Sequence, residues 1–181
     1  KYKYRYPLIQ FKVVDEKPVM IALTQKAIEI FKTVMFETNE IDIEGKIIPV
    51  YEKSFTVTTQ KFGITKEPKQ YRFIHPWIGL NQNNYKTYLS LTSMEQKNGL
   101  LEKILTTSFF PLAKELGYWV EERVVCKSSL HVVPVNLKTQ TLLGFMGRFE
   151  INLEIPDYVG VGKSSSRGYG VLVRDKQEVG V

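Results

Sequence analysis

The strictest hydrophobic pattern of the chain lies in residues 149–155, where Phe, Ile, Leu and Ile alternate with Glu, Asn and Glu. A period of two predicts a β-strand with one buried and one polar face. Residues 1–14 alternate similarly, with Lys1, Lys3 and Arg5 between tyrosines, and predict another strand. Its cationic face is either a solvated sheet edge or a surface that contacts a nucleic-acid backbone, with the tyrosines stacked on bases.

A helical pattern begins after Thr24, a residue type suited to the N-cap position. The apolar residues that follow lie on one helix face, which we expect to pack in the core. They are Ala27, Ile30, Phe31, Val34 and Met35. Strands are predicted before this helix, over 19–23, and after it, over 40–43 and 47–60, with a turn at Gly45.

Residues 61–69 combine glycine, proline and charge, which predicts a boundary between a domain over 1–66 and a second domain over 67–181. A strand is expected over 70–74, directly after this boundary.

Helices are predicted next. Asn81 or Asn83 can cap a short helix, and Thr92 with Glu95 forms a capping box that starts a longer one. Pro111 should kink or split the longer helix. The remaining predicted strands cover 120–127, 130–137, 142–145, 149–155 and 169–174.

The order of these elements indicates an α+β protein. The second half is predicted to run strand, helices, strand, strand, loop, strand, which is the ferredoxin-like order with its second helix reduced to a loop. The first half matches the end of the same order. We therefore expect tandem ferredoxin-like (RRM-like) folds, the first of them lacking its initial βα unit, which we expect to lie before Lys1.

Composition narrows the classes of function. The 181 residues carry 25 Lys and Arg against 19 Asp and Glu, a net charge of +6 that mildly favours polyanionic partners. The single cysteine, Cys126, excludes an internal disulfide and a cysteine-based zinc cluster. No apolar run approaches the roughly 18 residues that span a bilayer. We expect a cytoplasmic protein without a membrane partner.

Residues 160–170, GVGKSSSRGYG, are the strongest candidate site. Backbone N–H groups and serine hydroxyls can hold an anion that lysine and arginine neutralise. The predicted phosphate-binding residues are Gly160, Gly162, Lys163, Ser164, Ser165, Ser166, Arg167, Gly168 and Gly170. The simpler interpretation is a flexible turn with solubilising serines.

Gly162-Lys163-Ser164 also matches the end of a nucleotide-binding P-loop. That motif requires a glycine five residues before Gly162, where this chain has Asp157. It also requires a helix to begin at the lysine, and the glycines that follow disfavour one. The sequence therefore argues against nucleotide hydrolysis.

The chain has two histidines, His75 and His131. Neither lies in a metal-binding motif, so we expect no metal and no cofactor. Histidine suits the two proton transfers of metal-independent RNA cleavage. Both are therefore low-ranking catalytic candidates, judged on residue type alone.

Several segments resemble one family. IPDYVGVGKSSSRGYGVL resembles the C-terminal glycine-rich signature of the CRISPR-associated endoribonucleases of the RAMP superfamily, which process precursor CRISPR RNA. The resemblance extends over nearly the whole chain, through KYRYPLIQFKVV, FIHPWIGLNQNNY, KELGYWVEE and LLGFMGRFEINLEIPDY.

The resemblance implies tandem ferredoxin-like folds and binding of CRISPR repeat RNA by the loop at 160–170. It implies metal-independent cleavage by the 2′-hydroxyl, which leaves a 2′,3′-cyclic phosphate. Other CRISPR effector subunits and a second copy of the chain are further expected partners. Lys1, Lys3, Arg5 and Arg148 are weaker candidates for a basic cleft.

The chain departs from this family at one point. The resemblance places the catalytic histidine before the strand that matches YRYPLIQFK, a region that precedes Lys1. The explanations that stay open are an N-terminal segment not shown, a truncated chain, or a protein that binds RNA without cutting it.

Overall fold

The computed structural model of this chain describes residues 5–43, 45–137 and 139–175. The strands are β1 (Ile9–Val14), β2 (Lys17–Ala22), β3 (Glu40–Ile43), β4 (Lys46–Pro49), β5 (Gly63–Phe73), β6 (Cys126–Leu137), β7 (Gln140–Glu154) and β8 (Leu172–Arg174). The helices are α1 (Gln25–Glu37), α2 (Gln82–Ser90), α3 (Met94–Ser108) and α4 (Phe110–Glu115). A single turn of 3-10 helix spans Ser165–Arg167.

The second half of the chain forms a four-stranded antiparallel sheet in the order β6-β7-β5-β8. The helices α2, α3 and α4 connect β5 to β6, a hairpin joins β6 to β7, and a long loop joins β7 to β8. The predicted ferredoxin-like order of this half is thereby confirmed, with the loop in the place of the second helix.

Two strands of this sheet are longer than predicted. β5 begins at Gly63 and not at residue 70, because an irregularity between Ile64 and Lys69 accommodates the proline within the strand. β7 runs without a break through Gly147, whose φ of 131° is compatible with glycine and whose Cβ would lie 2.2 Å from the Ser129 carbonyl oxygen. The strand predicted over 120–127 is wrong for residues 120–125, which carry no strand. Its last two residues belong to β6.

The first half consists of the hairpins β1–β2 and β3–β4 with α1 between them. The strand predicted over 1–14 begins only at Ile9, and residues 1–4 lie outside the described part of the chain. The prediction of strand over 47–60 is wrong beyond Pro49, because residues 50–62 carry neither helix nor strand.

Helix α1 begins after Thr24, as predicted, but its apolar stripe is buried only in part. Ala27 is buried, whereas Ile30 and Val34 are 51% and 44% exposed. The covered side includes Phe31, which stacks on Phe55 of the irregular segment at 5.5 Å. The helical spacing of the stripe predicted that all of it lies in the core. The described residues cover only one edge of the stripe, so the prediction is correct in part.

The caps of the later helices show why they begin where they do. The Asn81 side chain accepts a hydrogen bond from the Asn84 N–H at 2.8 Å and caps α2, as predicted. Ser93, and not the predicted Thr92, caps α3 by accepting from the Gln96 N–H at 3.1 Å. Pro111 lies in the first turn of α4, where the split was expected.

The core lies between the sheet and the helices. The sheet contributes an aromatic row in which Phe149 lies within 5.6 Å of Tyr71 and 5.1 Å of Phe73, measured between ring centroids. This row is covered by side chains of α3, of α4 and of the residue between them, all at most 1% exposed: Leu101, Leu105, Phe109 and Leu112.

This packing predicts that Leu105→Ala lowers the free energy of unfolding by about 2–5 kcal/mol, because the truncated side chain leaves a cavity. Leu89→Ala is the matched control, since Leu89 on α2 is 57% exposed. Denaturant unfolding measures both. Equal losses from the two substitutions would contradict the assigned core.

Candidate nucleic-acid interface

The loop between β7 and β8 is anchored along its whole base. The Val161 N–H donates to the Gly170 carbonyl at 3.0 Å, so the loop closes on itself like a hairpin. The loop is also bonded to the segment after β5. The Lys163 N–H donates to the Ile78 carbonyl at 2.9 Å, and the Gly170 N–H donates to the Pro76 carbonyl at 2.8 Å. A loop with paired backbone groups on both sides holds a defined shape.

Two loop glycines are required by the protein's own packing. Gly162 has a φ of +82°, and a Cβ there would lie 2.6 Å from Trp77 Nε1. Gly170 has a φ of +62°, and its Cβ would lie 2.0 Å from the Val161 carbonyl oxygen. A side chain would clash at both positions as well as strain the backbone.

The structure divides the predicted loop residues into a buried set and an outer set. Gly160, Gly170 and Ser165 are buried. Gly162, Ser164, Ser166 and Gly168 are half-buried, and Lys163 and Arg167 are exposed. The outer set is therefore the part of the loop within reach of a ligand.

Lys163 precedes the 3-10 turn and Arg167 is its last residue. Ser164 has left-handed backbone angles, φ 61° and ψ 25°, and its hydroxyl oxygen accepts a hydrogen bond from Arg167 Nη2 at 3.1 Å. Neither cation forms an ion pair with a carboxylate in the described residues. Two cations without local counter-charge on a shaped loop can bind an anion.

A buried polar network beneath the loop was not predicted from the sequence. The Tyr6 hydroxyl donates to the Gly160 carbonyl at 2.5 Å, and Gln10 Nε2 donates to the Tyr6 hydroxyl oxygen at 2.7 Å. Gln10 Oε1 accepts from the Gly160 N–H at 2.9 Å and from Lys12 Nζ at 3.0 Å. Lys12 Nζ also donates to the Tyr158 carbonyl. The network joins β1 to the start of the loop.

A signal for this network exists in the sequence. Gln10 and Lys12 alternate with Phe11 and Val13, and the structure buries the polar pair while Phe11 and Val13 are 56% and 54% exposed. A strand normally buries its apolar face. Polar side chains on the buried face of such a strand indicate a specific polar partner.

Burial lowers the pKa of Lys12 from its ordinary 10.5 to about 7, because its ammonium is removed from water. Lys12 is 5% exposed, and no carboxylate of the described residues forms an ion pair with it. Desolvation is therefore not offset by an opposite charge.

The two histidines lie in different elements, His75 in the segment after β5 and His131 on β6. The backbone N–H of His75, which follows β5, donates to the Val171 carbonyl at 3.4 Å, so this residue borders the base of the loop. His131 is exposed on β6, opposite Met146. No side-chain hydrogen bond joins either imidazole to a described residue of the loop.

The weaker basic candidates have different environments. Lys1 and Lys3 lie outside the described residues, and Arg5 is exposed. Arg148 is 72% exposed by side chain, but its Nε lies 2.6 Å from Asp175 Oδ2. Part of its charge is thus neutralised at the sheet.

The described residues contain no group of three or more His, Cys, Asp or Glu that could hold a metal ion. Within the same ranges, none of the helices has the length and apolar character needed to cross a membrane. Burial and then the charge of Glu102 raise the pKa of the Cys126 thiol to about 12, which leaves it unreactive near neutral pH.

The Lys12 site predicts how folding stability changes with pH. Between about pH 7 and 10.5 the unfolded chain holds a proton on Lys12 that the folded chain has released, so stability rises with pH across this window. Lys12→Met should reduce this increase in the free energy of unfolding by up to about 5 kcal/mol. Chemical denaturation from pH 6 to 10 measures it, with the exposed Lys17→Met as control. An unchanged slope in Lys12→Met would contradict the buried ammonium.

Comparison with known proteins finds relatives along nearly the whole chain. A family model for the Cas6b N-terminal domain matches residues 1–61, and one for the Cas6b C-terminal domain matches residues 63–175. An uncharacterized protein of Methanocaldococcus jannaschii is 34% identical over 144 residues, which are 78% of this chain and 96% of that protein.

Solved structures show the same likeness. A crystal structure of Cas6b matches with a TM-score of 0.90 and 32% identity, over 96% of this chain and 80% of that one. A crystal structure of the CRISPR RNA processing endoribonuclease Cas6b matches with a TM-score of 0.79 and 31% identity, over 94% of this chain and 83% of the other. The type IV Cas6 crRNA endonuclease Csf5 shares the fold, with a TM-score of 0.54 and 15% identity. The match covers 94% of this chain and 68% of the Csf5 chain.

These matches confirm the expected α+β class of tandem ferredoxin-like folds. The two family models together cover nearly the whole chain, including β1, the buried network and the glycine-rich loop. The chain therefore belongs to the Cas6b family of CRISPR RNA processing endoribonucleases.

Proposed function

We propose that this chain binds CRISPR repeat RNA and cleaves precursor CRISPR RNA without a metal ion. The 2′-hydroxyl of one nucleotide attacks the adjacent phosphate, the bond to the 5′-oxygen breaks, and a 2′,3′-cyclic phosphate remains. A base must accept the 2′-hydroxyl proton and an acid must protonate the leaving 5′-oxygen.

The observation that carries the proposal is the pair of exposed cations on the anchored loop. Lys163 lies two residues before a 3-10 turn that ends at Arg167, and neither cation is neutralised by a described carboxylate. Phosphate contacts of this type position the RNA without reading its bases. The half-buried Ser164 and Ser166 between them add hydroxyl groups that can donate to phosphate oxygens.

The alternative function is a non-catalytic RNA-binding subunit of the CRISPR machinery. It is favoured by the lack of a side-chain hydrogen bond between either histidine, His75 or His131, and the described residues of the loop. Other effector subunits and a second copy of the chain stay predicted partners of either function. A cytoplasmic location also stays a prediction.

Incubation of the protein with repeat RNA in EDTA should yield products with 2′,3′-cyclic phosphate ends. Tight, salt-sensitive binding without cleavage would favour the alternative. Loss of cleavage in EDTA that added Mg²⁺ restores would contradict the metal-independent mechanism, and no binding at low salt would contradict both functions. Cleavage that survives His75→Ala and His131→Ala would place the base elsewhere.

Lys163→Ala with Arg167→Ala should weaken binding about equally for different RNA sequences and lower the salt slope by roughly 1.4, at about 0.7 per lost phosphate contact on single-stranded RNA. The matched control is Lys86→Ala with Lys103→Ala, which removes the same charge from the exposed faces of α2 and α3. Fluorescence anisotropy at several salt concentrations measures both. The same change of slope in the two double variants would show a general charge effect and would count against the loop.

A further inference from the structure

We propose that Lys12 is a positioning residue for RNA binding, whose buried ammonium holds the start of the loop in the shape that presents Lys163 and Arg167. This inference rests on the proposed RNA-binding function. It concerns a residue of β1 that lies beneath the loop and does not itself reach the surface.

The contacts of Lys12 explain how it acts through other residues. Its Nζ donates to the Tyr158 carbonyl and to Gln10 Oε1, and the same Oε1 accepts from the Gly160 N–H. Its Cα would lie 3.3 Å from a Cβ on Gly168, at the far end of the 3-10 turn. Lys12 is therefore hydrogen-bonded to the chain before the exposed cations, and its backbone lies close to Gly168, which follows them.

The carbonyl that Lys12 holds belongs to a residue with strained backbone. Tyr158 has a φ of +66°, which is uncommon outside glycine. Such a conformation persists when neighbouring groups fix it. A charge-assisted hydrogen bond to the Tyr158 carbonyl supplies that restraint, and it weakens when the amine loses its proton.

RNA binding should favour the charged form of Lys12. Burial lowers its pKa to about 7, and no described carboxylate pairs with it. Phosphates bound at Lys163 and Arg167 would bring negative charge to this side of the molecule and stabilise the ammonium. Binding at a pH just above 7 should therefore take up a proton.

Other ionisable groups surround this site and must be separated from it. The groups on the elements packed against Lys12 are Tyr6 before β1, Lys17 on β2, Asp157 and Tyr158 before the loop, and Lys163 and Arg167 in the loop. The Asp157 carboxylate accepts a hydrogen bond from the Arg174 N–H at 2.5 Å. A comparison between wild type and a Lys12 variant removes their common contribution.

Isothermal titration calorimetry with repeat RNA at pH 7.5, in buffers of different ionisation enthalpy, measures the proton uptake. We expect the wild type to take up a substantial fraction of one proton more than Lys12→Met. Its affinity should fall about tenfold more than that of Lys12→Met between pH 6 and 9, the factor for one charge-assisted hydrogen bond. Equal uptake and equal pH profiles in the two proteins would overturn the inference.

A second measurement keeps Lys12 in place, in case Lys12→Met does not fold. Trp119 is 81% exposed and Trp77 lies against Gly162, so Trp119→Phe leaves a single tryptophan that reports on the loop. Its emission should change near pH 7 in the protein alone and at least about one pH unit higher with RNA. No transition, or no shift with RNA, would overturn the inference. Wild type that fails to bind RNA at low salt would instead overturn the proposed function.

Discussion

The site depends on the side-chain amide of Gln10. This fully buried residue uses its Oε1 for the Gly160 N–H and Lys12 Nζ, and its Nε2 for the Tyr6 hydroxyl and the Pro7 carbonyl. All four hydrogen-bonding capacities of the amide are thereby occupied. One side chain therefore fixes the position of the loop relative to β1, and removal of any partner would leave a buried polar group unsatisfied.

The other side of the loop depends on Trp77, which is fully buried and pairs through its backbone with Phe145 of β7. Its indole lies directly beneath Gly162, and its Nε1 is a buried donor without a partner among the described atoms. The loop is thus held on one side by the hydrogen bonds of the Gln10 network and on the other by packing against the Trp77 indole. These contacts on both sides explain why a segment with four glycines and three serines keeps a defined shape.

The sequence was sufficient to predict an element where its local residue pattern agrees with its burial in the fold. The alternating residues of β7, the cap at Thr24 and the order of elements in the second half were predicted correctly because each depends on neighbours along the chain. The sequence analysis missed features that depend on long-range contacts. The polar face of β1 is buried by a loop about 150 positions later, as the pair Gln10 and Gly160 shows. The alternation along β1 does not by itself show which of the two faces is buried.

This long-range contact also separates two roles within the predicted site. The sequence pattern grouped glycines, serines and cations as one phosphate-binding set, but the buried Gly160 and Gly170 serve the architecture of the loop. Lys163 and Arg167 are the groups directed to solvent. Because the buried members set the position of the exposed ones, the placement of the two cations is determined largely by β1 and the 76–78 segment. If the loop binds RNA as proposed, recognition depends on how firmly two distant parts of the chain hold this one turn.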